Sequence, residues 1–212
     1  MAAEHDIHTV EELRAVLPVP PAGEAKVMHS IDPHCRRFIE LSPFLVIASR
    51  NAAGQMDVSP KGDPPGFVRI LDEHTIAIPE RPGNHRCDTF TNVLEVPEVA
   101  LIFLVPGQDP TLRVMGRATI TRDPELLESM AVHGKVPVLA LRIAVDDAFI
   151  HCGKAPKRGG LWHADAQAPK DAFPRLGEMI HDQIAWKTGL ELPISREELG
   201  DSIDEDHRSN VY

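Results

Sequence analysis

A chain of 212 residues, 25% charged and 42% hydrophobic, has the size of one globular domain with extensions, not of a disordered tail or two full domains. A formal net charge of −10 argues against a broad nucleic-acid-binding face, so an anionic ligand needs a local basic pocket. No apolar run reaches the ~20 residues of a membrane span, and Met1-Ala-Ala-Glu-His-Asp6 lacks the basic start and apolar stretch of a secretory signal.

Val10 to Leu17 reads as a first helix closed by Pro18, and Pro33 to Leu41 as a second, with Asp32 as N-cap and proline at the first helical position. Cys35, Cys87 and Cys152 have unrelated spacings, which fits a reducing cytoplasm better than a disulfide scaffold or a cysteine zinc site. Phe44-Leu-Val-Ile-Ala-Ser49 reads as a strand, and Asn51-Ala-Ala-Gly54 supplies the turn of a hairpin. The return strand Gln55-Met-Asp-Val-Ser59 puts Asp57 and Ser59 on one face and Met56 and Val58 on the other. Phe67–Leu71 and Thr75–Ile78 flank Asp72-Glu-His74 as a second hairpin, and Val99–Val105 is a buried strand between Pro97 and Pro106.

His85 to Leu94 reads as a third helix, capped by Asn84, and Asp123-Pro-Glu125 opens a fourth. In Arg113–Thr121, Val114, Gly116, Ala118 and Ile120 share one face, and Arg113 and Arg117 the other. In Val138–Val145, Leu139, Leu141, Ile143 and Val145 alternate with smaller or polar residues. Phe173, Leu176, Ile180 and Ile184 recur near the helical period. Between Glu191 and His207 seven acids face one arginine, Arg196, giving −6; this reads as a solvated helix and tail, lying away from any bound phosphate. Six or seven strands with mostly short connections imply a β-rich α+β protein, an antiparallel barrel with peripheral helices.

Three stretches carry chemistry. Glu80-Arg-Pro-Gly-Asn-His-Arg-Cys-Asp-Thr-Phe-Thr-Asn92 leaves a strand, turns at Pro82-Gly83 and enters a helix. It is either an ordinary capped helix with surface arginines or a phosphate seat, with Arg81 and Arg86 joined by Thr89 or Asn84. Ser59-Pro-Lys-Gly-Asp63 is either a plain turn or a close backbone approach with Lys61 beside a ligand. Lys154, Lys157 and Arg158 precede Leu161-Trp162, an aromatic plane that either packs on the barrel or accompanies a flat anion. There is no phosphate loop, no G-x-S-x-G and no H-E-x-x-H, and the eleven histidines have no recognised ligand spacing, so no metal site is expected.

Taken in order, these segments resemble the pyridoxamine 5′-phosphate oxidase-like family of FMN-binding split β-barrels. The segments are Asp57-Val-Ser-Pro-Lys-Gly-Asp63, Thr75-Ile-Ala-Ile-Pro79, Arg81-Pro-Gly-Asn with Arg86, Asp88, Thr89 and Asn92, then Val96-Pro97-Glu98 and Leu112-Arg-Val-Met-Gly-Arg-Ala118. The closing His151-Cys-Gly-Lys, Lys157-Arg158 and Leu161-Trp162 resemble a bacterial subgroup known only as FMN-binding. The resemblance spans roughly residues 30–165 and divides the chain into an N-terminal helical extension (1–30), the barrel domain (31–165) and a C-terminal helical and acidic extension (166–212).

The resemblance implies a homodimer with FMN between the subunits. It places Val58, Ser59, Pro60 and Ile78 along the flavin, and gives the phosphate to Arg86 with Lys61 or Arg81, helped by Asn84, Asp88 and Thr89. The other subunit contributes Arg113, Lys154, Arg158 and Trp162. The basic C-terminal signature of the true pyridoxamine phosphate oxidases is missing: the chain ends Asp206-His-Arg-Ser-Asn-Val-Tyr212. An FMN-dependent oxidoreductase with a small-molecule substrate is the leading expectation. A non-catalytic flavin- or haem-binding module and a deazaflavin-dependent reductase stand beside it. No catalytic side chain is named, because hydride transfer to a flavin needs none.

Overall fold

The structure, a computed structural model, describes residues 5–18, 20 and 25–212. The leader reading at the N-terminus and part of the N-terminal extension fall on residues 1–4, 19 and 21–24, outside the described residues. Seven strands form one antiparallel sheet: β1 (Phe44–Arg50), β2 (Met56–Gly62), β3 (Arg69–Asp72), β4 (Thr75–Pro79), β5 (Glu98–Leu104), β6 (Thr111–Thr121) and β7 (Ala140–His151). Their order is β2-β1-β5-β6-β7-β4-β3, so β2 and β3 are the two edges. No ladder joins those edges, and the barrel is split there. Two ion pairs bridge the gap instead: Lys61 at the end of β2 meets Glu80 just after β4 at 2.7 Å, and Asp63 meets Arg81 at 2.5 Å.

The period-2 pattern sets the faces. On β6, Leu112, Val114, Gly116 and Ala118 turn inward while Arg113 and Arg117 face out. The β6–β7 register shifts after Met115, where an extra β7 residue makes a bulge. Gly116 sits at that shift because a β-carbon there would fall 2.1 Å from the Ala144 carbonyl oxygen. β7 continues through His151, beyond the Val145 end suggested by alternation, because its second half pairs with Thr111–Met115. Pro60 fits within β2 because β2 is an edge strand, where a missing N–H breaks no ladder on its free side.

The main core joins Leu45, Ile47, Phe103, Leu112, Val114, Leu141 and Ile143 of the sheet to two helices. Burying each such side chain contributes roughly 1.5–3 kcal/mol before ordering costs. After α1 (Val10–Val16), α2 (Pro33–Leu41) inserts Cys35 and Ile39, and its N-cap Asp32 accepts from the Cys35 N–H at 2.7 Å. α3 (Asp88–Glu95) inserts Phe90 and Val93. On the opposite side of β4, α4 (Pro124–Ser129) packs Leu126 and Leu127 against Ala77 and Ala140.

The C-terminal part is a helical hairpin, α6 (Leu176–Thr188) against α7 (Arg196–Ser209), following the short α5 (Lys154–Arg158). Phe173 lies outside α6 and is exposed, although its spacing placed it on the helix. The two helices cross closely at Gly177, where a β-carbon would meet the Leu199 carbonyl oxygen at 2.3 Å. Arg175 draws together Glu178, Asp201 and Asp204, and Arg196 bonds Asp182, so the acidic run is partly compensated within the hairpin.

Candidate functional site

A cavity of about 480 Å³ opens at the split, bounded by β2, the end of β4 and the 80–89 segment. That volume lies in the range of small-ligand and cofactor sites. Asp57, Ser59 and Lys61 are half-buried on the inner side of β2, while Met56 and Val58 point outward and are exposed, Val58 at 64%. The free edge of β2 presents backbone N–H and C=O groups that no neighbouring strand uses.

Three basic side chains line the cavity, and each already has a carboxylate. Lys61 is held by Glu80 and lies 5.3 Å from the Phe90 ring centroid. Arg81 donates from Nε to Asp63 at 2.5 Å and to the Met130 carbonyl oxygen at 2.7 Å. Arg86 donates to Asp88 at 2.7 Å, but from the surface, with its side chain 71% exposed. The lining charges of Lys61, Arg81 and Arg86 balance those of Asp57, Glu80 and Asp88. A dianionic phosphate therefore depends on N–H donors and on whichever arginine is free to turn.

The N–H donors lie at the start of α3. The helix begins at Asp88, not at His85, and its N-cap is Cys87, whose side chain caps nothing. The expected cap, Asn84, instead accepts from the Arg86 N–H at 3.1 Å, an Asx-type turn that keeps His85–Cys87 out of the helix. His85 and Cys87 adopt left-handed backbone conformations, φ 54° and 56°. Such conformations cost on the order of 1–3 kcal/mol each and cluster at ligand-holding turns. Thr89 is buried, and its hydroxyl donates to Asp57 at 3.3 Å, tying α3 to β2. Asn92 ties the same helix to Ser49 of β1 at 3.0 Å.

Of the residues singled out from the sequence, Val58, Ser59, Pro60, Lys61, Arg81, Asn84, Arg86, Asp88 and Thr89 line this one cavity. Ile78 does not: it is a core residue, 1% exposed. Arg113, Lys154, Arg158 and Trp162 also lie outside it within the single chain. The Arg113 guanidinium lies over the Phe149 ring at 5.3 Å, and its charge, after burial and together with Lys26, helps hold the His151 imidazole below its ordinary pKa. Trp162 donates from Nε1 to the Gln108 carbonyl oxygen at 2.8 Å, and Lys154 and Arg158 are exposed on α5.

Sequence reasoning missed the anchors of the split, Asp63, Glu80 and Tyr212. The Tyr212 hydroxyl donates to Asp63 at 2.7 Å, its ring lies 5.9 Å from the Arg81 guanidinium carbon and edge-on to His133, and Lys135 donates to its main-chain oxygen. The hydrogen bond to Asp63 raises the tyrosine's pKa. Thus the chain beyond the acidic helix returns to the edge of the cavity. Only the oddity of a lone tyrosine after a polar tail hinted at a buried contact. Among the described residues no group of three or more His, Cys, Asp or Glu side chains is placed to hold a metal ion.

The family model for pyridoxamine 5′-phosphate oxidase matches residues 31–152, more than half of the chain. The chain belongs to that family. The matched span begins at Ile31, just before α2, and ends at Cys152, just after β7, so it takes in the whole sheet and the cavity at its split. No curated protein matches. Similar solved structures include Group A Streptococcus HupZ, at 21% identity and a TM-score of 0.47 over 57% of this chain and 99% of that one. A Syntrophomonas wolfei protein described as FMN-binding matches at 12% identity and a TM-score of 0.42, over 54% of this chain and 86% of its own. HutZ of Vibrio cholerae, described as a heme storage protein, matches at 15% and 0.42, over 57% of this chain and 94% of its own.

Proposed function

We propose that this family member is an FMN-binding flavoprotein and an oxidoreductase. One observation carries the reading: the cavity at the split joins a free strand edge, along β2, to an uncapped helix N-terminus flanked by Arg86. A strand edge offers alternating donors and acceptors to the polar rim of a flat ring. A helix start offers N–H groups and a partial positive charge to a phosphate. The donor set fits FMN from end to end.

Arg86 is the residue suited to the phosphate. It is exposed and held only by Asp88 two residues away, whereas Arg81 and Lys61 are fixed across the split by Asp63 and Glu80. Phe67 and Phe90 in the cavity lining exclude water from the ring. FMN supplies two-electron chemistry when bound, and the chain supplies binding, orientation and local charge.

A two-fold dimer belongs to the same proposal. Met56 and Val58, exposed beside the cavity, offer an apolar contact, and a second copy is a source for the Arg113, Lys154, Arg158 and Trp162 contributions that one chain does not bring to the cavity. No helix among the described residues is long and apolar enough to cross a membrane, and the three cysteines are free. A cytoplasmic location is proposed on the thiols.

The absorption spectrum of the purified protein, with mass analysis of the copurified ligand, tests the reading. Flavin bands and the mass of FMN are expected. A Soret band, or a deazaflavin mass, overturns it.

A further inference from the structure

A second cavity, of about 370 Å³, lies on the other side of the 80–87 segment. It shares Arg81, Pro82, Cys87 and Phe90 with the first, so the two chambers are separated by one stretch of chain. Its character is opposite. Ile120, Val136, Pro137, Val138 and Leu139 build its walls, and Tyr212 closes one side. The Lys and Arg groups around it are engaged: Arg81 by Asp63 and the Met130 carbonyl, Lys135 by the main-chain oxygen of Tyr212. Its carboxylate, Glu80, is bound to Lys61.

Val138 and Val136 are left in water at the mouth, 72% and 47% exposed. Apolar side chains around a concave, preformed space favour a ligand that covers them. A phosphate there would lose its hydration with no unengaged Lys or Arg to replace it. A neutral, apolar body loses nothing comparable.

We infer that this chamber binds the body of the protein's small-molecule substrate, and that this substrate is uncharged and apolar rather than phosphorylated. Its assignment as a substrate chamber rests on the flavin reading of the adjacent cavity. The ligand class rests on the lining alone. Tyr212 is a wall of the chamber, held in place by Asp63, Lys135 and His133.

The test uses 2-naphthol as a neutral fluorescent probe and pyridoxal 5′-phosphate as the anionic competitor, on the full chain with and without FMN. Val138→Asp places a carboxylate at the mouth from a position exposed enough to leave the fold intact; Val136→Asp is the second variant should the first not fold. The expected result is naphthol binding that weakens at least about tenfold in Val138→Asp, with no displacement by pyridoxal 5′-phosphate and with FMN affinity unchanged.

Naphthol affinity indifferent to the aspartate, or displacement by pyridoxal 5′-phosphate, overturns the inference. So does a Val138→Asp protein whose only defect, by sedimentation, is loss of self-association, which assigns the patch to a subunit contact. A protein that binds no FMN yet binds naphthol in an aspartate-sensitive way sinks the flavin reading and supports the ligand class.

Discussion

Arg81→Ala separates a structural arginine from a phosphate-binding one. The Asp63 side chain is fully buried, 0% exposed, and accepts from Arg81 at 2.5 Å and from the Tyr212 hydroxyl at 2.7 Å. Arg81 itself is 14% exposed and also donates to the Met130 carbonyl. Removing the guanidinium leaves a buried carboxylate with one neutral donor, and breaking a buried pair from one side costs about 3–5 kcal/mol. For a domain of this size each kcal/mol moves Tm by about 2–4 °C, so the expected drop is about 6–20 °C. Differential scanning fluorimetry of the flavin-free protein reads it directly. Asp63→Asn combined with Arg81→Ala should cost less than the sum of the single changes, because the stranded charge is gone. An Arg81→Ala protein that melts like the parent but has lost FMN refutes the reasoning and transfers the phosphate to Arg81.

Arg86→Ala should weaken FMN by roughly tenfold to a hundredfold, the worth of a charge-assisted contact, and leave riboflavin nearly unaffected; fluorescence titration of both ligands checks it, and equal weakening makes Arg86 structural. Asp32→Ala should cost about 1 kcal/mol at neutral pH through the lost cap of α2. The cap's hydrogen bond from the Cys35 N–H holds the Asp32 carboxyl below its ordinary 3.8, so its contribution is fully present above that value and fades as pH falls through the lowered folded value; urea melts of parent and variant should therefore converge only in strong acid. Burial pushes the Cys35 thiol up to about 12, while Cys87 and Cys152 are exposed. Iodoacetamide on the native protein at mildly alkaline pH should label Cys87 and Cys152 and spare Cys35 by peptide mass mapping.

Local chemistry was legible where it decided the structure. Asp32-Pro33 starts α2 where the cap and proline signals put it, and Asp123-Pro124 does the same for α4. The alternation in Gln55–Ser59 placed Asp57 and Ser59 on the half-buried face and Met56 and Val58 outside. The start of α3 was misread because Asn84 has two uses, helix cap or Asx turn, and sequence alone does not choose between them. Ile78 was read as a ligand contact because it follows a family-like strand, but β4 is buried on both faces between the main core and α4. The anchors of the split were invisible for a simpler reason: Asp63 and Tyr212 are 149 positions apart, and no local pattern encodes a hydrogen bond at that distance.

Titration of the flavin-free protein with FMN and, separately, with riboflavin tests the central claim most directly, since the strand edge serves the ring of both while the α3 start and Arg86 serve only the phosphate. One FMN per chain is expected, bound at least about tenfold more tightly than riboflavin, with the preference lost in Arg86→Ala. Equal affinity for the two flavins, or no saturable binding of either, would contradict the assignment of a phosphate seat at the start of α3.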